Sequence, residues 1–294
     1  MMTGFKIFDK IRIFLVLPVI ILTAVTTPRP VDTDSAVFES QKLYVLEQAL
    51  ATGQGVTTDG KYLYTSGAVT ALNLTLLGKI DLETMAFVDR AVNPLPEKCS
   101  KRGNNHIGGI SYYKDRIYAS VEGGDTVYAC IVVFDAATLE PTGEIYDLPN
   151  EKYDDGVPWL AVDPATGYLY ASKWSDAPSV NVYDINDGMK QINEIRPSGE
   201  GKIDRIQGGE FLNGILYLSQ DNKDSGSIKK ILALDIATGR LSVAAERDVN
   251  GENTEAEGMT FVTRGGEKRM LVSDYNKAAG VYMREYRVPA VKAK

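Results

Sequence analysis

Val133-Phe134-Asp135-Ala136-Ala137-Thr138, Val182-Tyr183-Asp184-Ile185-Asn186-Asp187-Gly188 and Ala233-Leu234-Asp235-Ile236-Ala237-Thr238-Gly239 repeat one phrase: a short apolar stretch that ends in an aspartate and turns. Lys79-Ile80-Asp81-Leu82-Glu83-Thr84 is an earlier copy. The aspartates stand at 81, 135, 184 and 235, a period of about fifty residues that belongs to tandem structural repeats. Asp and Thr oxygens at such a place accept hydrogen bonds from backbone N–H groups two or three residues on, and a closing Gly tolerates positive φ. Each copy is therefore expected to be a tight turn between two outer antiparallel strands.

A second phrase keeps the same period. Asp59-Gly60-Lys61-Tyr62-Leu63-Tyr64 is followed by Lys114-Asp115-Arg116-Ile117-Tyr118, Gly167-Tyr168-Leu169-Tyr170 and Asn213-Gly214-Ile215-Leu216-Tyr217, and Lys268-Arg269-Met270-Leu271-Val272 is a last copy without the tyrosine. A polar turn feeding a short alternating strand is a hairpin signal. Just upstream of these lie Gln54-Gly55-Val56, Gly108-Gly109-Ile110, Pro158-Trp159-Leu160, Gly208-Gly209-Glu210 and Glu257-Gly258-Met259, where small residues suit strands that crowd around an axis. Four short strands per period, five times over and with almost no helical periodicity, specify an all-β fold: a five-bladed β-propeller of four-stranded antiparallel blades. The fifth copy ends at Val281–Val288 without a fourth strand, and Lys42-Leu43-Tyr44-Val45-Leu46-Glu47 stands unpaired before the first. An N-terminal strand closing the last blade would leave the ring without an open edge. Residues 41–291 are thus expected to form a single propeller domain, and a closed ring of this kind to be monomeric.

The N-terminus reads differently. Lys6, Lys10 and Arg12 precede an apolar run from Ile13 to Val25, interrupted by Pro18 and Thr23. Residues 1–26 therefore read as a cleaved signal peptide or an uncleaved membrane anchor, and 27–40 as a flexible leader. Either way the propeller is expected to be secreted or otherwise extracytoplasmic, meeting a membrane only through this segment. Cys99 and Cys130 are the only cysteines; an oxidising compartment permits a disulfide between them, the alternative being two inert buried thiols. Asn73-Leu74-Thr75 has the spacing of an N-glycosylation acceptor, which would make an exported chain a glycoprotein. The net charge of −7, with no basic cluster beyond the extreme N-terminus, argues against a nucleic-acid partner.

The repeat pattern resembles the quinoprotein-like and YVTN-type propeller superfamily across nearly all of the chain after its N-terminal segment. Thr52-Gly53-Gln54-Gly55-Val56 and the Asp59-Gly60-Lys61-Tyr62-Leu63-Tyr64 that follows are distantly similar to the opening motif of five-bladed glutaminyl cyclotransferases. Where that family carries Phe-Gly-Glu-Gly, this chain has His106-Ile107-Gly108-Gly109, without the glutamate. The resemblance implies a cyclotransferase-like activity, and the departure removes a residue that it relies on.

In a propeller the links between blades and the hairpins joining the second and third strands emerge on one face. Here those segments are polar and acidic: Asn104, Asn105, His106, Asp154, Asp155, Asp204, Arg205, Asn253, Glu255 and Glu257 in the links, Glu122, Asp125, Asp176, Asp221, Asp224 and Asp274 in the hairpins. His106, the chain's one histidine, and Glu257 are the candidate catalytic residues, because an imidazole and a carboxyl at the start of inner strands could move a proton. Gln54, Asn105, Asp155, Trp174, Arg205 and Gln207 are the candidate ligand-binding residues. Asp155, Asp204, Glu255 and Glu257 are the candidate ligands for a hard cation, Ca2+ above all; Glu255-Ala256-Glu257-Gly258 resembles an acidic-Gly strand of lactonase-like and phytase-like propellers. The opposing reading is a solvated acidic rim. No Ser-His-Asp spacing, phosphate loop or HExxH is present. The functional expectation is a secreted propeller that binds a small molecule, a glycan or a protein loop on this face. The alternatives on the same face are a cation-dependent, lactonase-like hydrolase or lyase and a glutaminyl cyclotransferase-like enzyme.

Overall fold

The computed structural model describes residues 42–45, 53–123, 128–221, 228–249, 254–276 and 280–289, all within the compact unit 37–294. The segments read as targeting signal or anchor and as leader (1–26 and 27–40), together with Asp125, Asp224 and Asn253, lie outside the described residues. Among the described residues no helix is long and apolar enough to cross a membrane.

Five sheets form the blades, each read from the axis outward. Blade 1 is Val56–Thr58, Tyr62–Val69, Leu74–Asp81 and Phe87–Val92; blade 2 is His106–Tyr113, Arg116–Glu122, Cys130–Asp135 and Pro141–Asp147. Blade 3 is Trp159–Asp163, Tyr168–Ser172, Val180–Asp184 and Lys190–Ile195; blade 4 is Ile206–Leu212, Ile215–Gln220, Ile228–Asp235 and Arg240–Asp248. Blade 5 is Thr254–Arg264, Glu267–Asn276 and Gly280–Arg287, and its outermost strand is Lys42–Val45, antiparallel with Tyr44 opposite Met283. The expected closure from the N-terminal side is present. Blade 4 carries an addition the repeat did not announce: Ser198–Gly199 pairs in parallel on its outer edge, opposite Arg240 and Leu241.

The inner strands neighbour one another in the order of the blades, and blade 5 returns to blade 1. There the Gly258 N–H donates to the Gln54 carbonyl at 2.9 Å. This approach needs glycine: a Cβ on Gly258 would lie 2.5 Å from the Val56 nitrogen, and one on Gly55 2.6 Å from the Ile110 nitrogen. Because strand side chains alternate, each blade feeds the junctions on both of its sides. Val132 and Phe134 pack toward blade 1, whereas Ile131 and Val133 pack toward blade 3. Five apolar clusters result, one per junction; Trp159 anchors that between blades 3 and 4, and Val56, Leu271 and Met283 fill the closing junction.

The acidic turns behave as read. Asp81 Oδ1 accepts from the Thr84 N–H at 2.8 Å, Asp135 Oδ1 from Ala137 and Thr138 at 2.9 Å each, and Asp235 Oδ1 from Ala237 at 2.9 Å. These donors, preceded at Asp235 by the Thr238 hydroxyl as the largest influence, hold the three carboxyls below their ordinary range. In the first two blades the closing position is held without glycine: Met85 and Leu139 adopt φ of 59° and 61°. Leu139 is fully buried, so packing offsets a backbone cost of roughly 1–2 kcal/mol.

Candidate functional site

Three links converge with their neighbouring hairpins on one face, as the strand directions require. Asp155 accepts from the Trp174 N–H at 3.0 Å and the Ser175 N–H at 2.9 Å, and Asp204 Oδ1 from the Asp176 N–H at 2.9 Å. The Asn105 N–H donates to the Glu122 carbonyl at 3.2 Å.

At the start of the inner strands a chain of side chains crosses three blades. Gln54 Nε2 donates to Glu257 Oε1 at 3.1 Å, which turns Gln54 Oε1 toward His106 Nε2 at 3.0 Å. In that arrangement Nε2 carries the ring proton and donates. On its other side His106 Nδ1 faces Glu122 Oε1 at 3.3 Å, and Glu122 Oε2 accepts from the Val157 N–H at the entrance to blade 3. The order Glu122, His106, Gln54, Glu257 joins blades 2, 1 and 5. Its ends differ in environment: the His106 side chain keeps 26% of its surface exposed, whereas Glu257 keeps none.

Burial first, then the charges of Glu255, Asp221 and Asp274, push the Glu257 carboxyl well above its ordinary range. These surroundings favour the protonated form of Glu257. Oε1 already accepts from Gln54, so the proton belongs on Oε2, and Oε2 is a buried atom with no hydrogen-bond partner. A donor without an acceptor in a polar site is what a bound group would satisfy.

A second cluster occupies the same face at blades 3 and 4. The Arg205 guanidinium lies 4.6 Å from the Trp174 ring centre, and its Nε donates to the Asp221 carbonyl at 3.1 Å. Asp221 also binds Lys229 Nζ at 2.6 Å and the Ala256 N–H at 3.3 Å. Arg205 is held at φ 52°, so its position is imposed by these partners and by its N–H to the Trp174 carbonyl at 2.8 Å.

The structure therefore brings Gln54, His106 and Glu257 together, with Asn105 beside them. Trp174, Arg205 and Asp155 form the neighbouring cluster. Gln207 is buried on the inner strand of blade 4. Of the expected cation ligands, Asp155 and Asp204 accept from backbone N–H groups of the blade 3 hairpin, whereas Glu257 accepts from Gln54. Among the described residues no group of three or more His, Cys, Asp or Glu could hold a metal ion. Cys99 and Cys130 face each other as free thiols, with their sulfurs 4.0 Å apart.

Two carboxylates escaped selection from the sequence. Glu122 was legible only as one acid of a polar hairpin, yet the two-residue turn after Tyr113, together with the register shift between Ile107 and Ile110, sets it opposite His106. Glu210 stood in a glycine-marked strand. It accepts from the Phe211 N–H at 3.0 Å, from the Thr260 hydroxyl at 3.1 Å and from the Thr57 hydroxyl, linking blades 4, 5 and 1 farther along the inner strands.

No protein-family model matches the sequence, and no curated protein matches it either. Solved structures do match in fold. A β-xylosidase, RS223, shares 12% identity over 82% of this chain and 95% of its own, with a TM-score of 0.55. An exo-1,5-α-L-arabinanase from a bovine ruminal metagenomic library shares 14% over 83% and 97%, with a TM-score of 0.50. The WD40 repeats of RRP9 share 13% over 81% of this chain, which spans only 62% of that one, with a TM-score of 0.47. Identities this low speak to architecture alone, and together with the closed ring of sheets they show the chain to be a five-bladed β-propeller.

Proposed function

We propose that this propeller binds a small polar ligand where the inner strands begin, with Gln54, His106, Glu122 and Glu257 as the recognition groups. The observation that carries the reading is the Glu257 Oε2 atom, buried and without a hydrogen-bond partner at the end of a chain of side chains whose other members are partnered, in surroundings that favour the protonated acid. A neutral ligand with hydroxyl or carbonyl oxygens fits it, because an anion would meet Glu122 and the surrounding carboxylates, and such ligands include glycans. The Trp174–Arg205 pair supplies a flat polar flank on the same face. The basic-then-apolar character of residues 1–26 supports work outside the cytoplasm.

A second reading is favoured by one feature. A neutral carboxyl and an imidazole–carboxylate pair, joined through Gln54, are two titratable groups in contrasting environments, the arrangement of an acid–base catalyst. A hydrolase, lyase or cyclotransferase-like reaction at the same residues would use Glu257 as acid and the His106–Glu122 pair as base.

A thermal-shift screen of sugars, polyols and small carbonyl compounds, followed by calorimetry on any hit, tests the binding reading. Glu257→Gln and His106→Ala are each expected to weaken the hit about tenfold or more, the loss of one to two kcal/mol of hydrogen bonding. A ligand held equally well by wild type and both variants would place recognition elsewhere. Turnover of the hit by wild type but not by Glu257→Gln would select the catalytic reading.

A further inference from the structure

Cys99 and Cys130 are linked through the backbone to two of the recognition groups, His106 and Glu122. Cys99 sits on the short helix Glu97–Lys101 that links blades 1 and 2, and Cys130 opens the third strand of blade 2. Both are fully buried, and their sulfurs are 4.0 Å apart. The Cys99 carbonyl accepts from the Asn104 N–H at 3.1 Å, and Asn105 and His106 follow at once. Cys130 pairs across the sheet with Val121, the residue before Glu122. One sulfur thus belongs to the segment that presents His106, and the other to the strand alongside Glu122.

We propose that Cys99 and Cys130 form a redox-active dithiol, which a small peroxide converts into an intramolecular disulfide that fastens the segment presenting His106. Burial of both sulfurs selects a small oxidant over a protein disulfide. Cys99 is the attacking sulfur: it shares its helix with Lys98 and is three residues from Arg102, cations that favour a thiolate, whereas Cys130 opens a buried strand that carries no such neighbour. The Cys99 thiolate takes one peroxide oxygen and the O–O bond breaks. The other oxygen leaves as hydroxide and becomes water with the proton that Cys99 had released. The Cys130 sulfur then attacks the sulfenic acid; the S–S bond forms, the S–O bond breaks, and a second water leaves with the Cys130 proton. Two thiols are oxidised by two electrons in total, and one peroxide is reduced to two waters.

Bond formation requires the sulfurs to approach by about 2 Å, since a disulfide spans about 2.05 Å. The movable side is the helix: it is five residues long and its N-cap, Pro96, makes no side-chain capping bond. Outward, Arg102 and Lys98 already tie that helix to Asp147, the strand partner of Cys130. The disulfide would add a covalent clasp to this ionic one. Its effect on ligand binding rests on the function proposed above; the thiol chemistry does not.

The full chain, reduced and then treated with hydrogen peroxide, is denatured, alkylated and weighed. The expected product has lost two hydrogen masses, takes up no alkylating agent and is restored by dithiothreitol. In Cys130→Ser, Cys99 is expected to stop as a sulfenic acid trapped by dimedone. In Cys99→Ser, Cys130 is expected to stay unmodified at the same dose. Two alkylated thiols after peroxide, a sulfinic product, or a faster reaction at Cys130 would each overturn the assignment. Hydrogen exchange reads the coupling without any ligand: amides 99–106 are expected to exchange at least tenfold more slowly in the oxidised form, and equal exchange would overturn the fastening role.

Discussion

Glu210 and Glu257 sit on adjoining inner strands, and in both the surroundings favour the protonated acid. Glu210 has a pKa pushed up from 4.5 to about 7, chiefly by burial among blades 4, 5 and 1, although part of its surface still reaches solvent. Because the folded state holds this proton more tightly than the unfolded chain, its stabilising effect is complete below pH 4.5. It is lost as pH rises through about 7. At 1.36 kcal/mol per pKa unit the change is roughly 3 kcal/mol at most. Guanidinium titrations of wild type and Glu210→Gln between pH 4.5 and 7.5 should show the variant gaining on wild type as pH rises; a constant difference would mean that Glu210 does not titrate in this window. Glu257 shifts in the same direction. Position singled out Gln54 and Glu257 in the sequence, each beside a glycine near the beginning of an inner strand, and His106 stood out as the one histidine, where another inner strand begins. Glu210 was hidden because its role depends on hydroxyls from Thr57 and Thr260, which are distant in the chain and meet only when the ring closes.

Pairs of strands explain why blades 4 and 5 hold together through charge as well as apolar packing. Arg247, on the outer strand of blade 4, is wholly buried and donates through Nη1 and Nη2 to both oxygens of Asp274, at 3.1 and 3.0 Å, and through Nη1 to the Tyr286 hydroxyl at 3.0 Å. Arg284 closes on Asp274 from its own sheet. Asp274→Leu leaves a buried guanidinium without its anion and should cost about 3–5 kcal/mol in equilibrium denaturation. Replacing both partners, as Arg247→Met with Asp274→Leu, should restore most of that loss, since two desolvated charges disappear together. If the double variant is no more stable than the single, the pair does more than cancel its own burial. Strand order was legible from the alternation and the acidic turns, because those are local. Asp274 and Arg247 could be read only as one polar-hairpin acid and one outer-strand base, because a pairing between blades leaves no trace at either position. The left-handed backbones of Met85 and Leu139 were equally hidden, because neither residue type announces positive φ.

At the scale of the whole ring, the decisive bond is the one between the two ends of the chain. Tyr44 donates to Glu285 at 3.0 Å across a sequence separation of 241 residues, and Arg264 pairs with the same carboxylate at 2.9 Å. Every other junction is assembled by neighbours in sequence, so this contact carries the loop-closure cost of nearly the full propeller. Without Lys42–Val45, the strand Gly280–Arg287 becomes an edge with unpaired backbone groups, the condition that invites pairing with another chain. A chain beginning at Thr52 is therefore expected to melt well below the full chain and to form larger species on gel filtration. A peptide spanning residues 40–47, added in trans, should raise the melting temperature of the shortened chain and reduce its self-association. A peptide with Tyr44→Ala should do so less, because it lacks the hydroxyl that reaches Glu285. Indifference of melting and association to both the truncation and the peptide would mean that the junction of blades 5 and 1 is sealed by Val56, Leu271 and Met283 alone. The outer strand would then be an ornament of the ring instead of its latch.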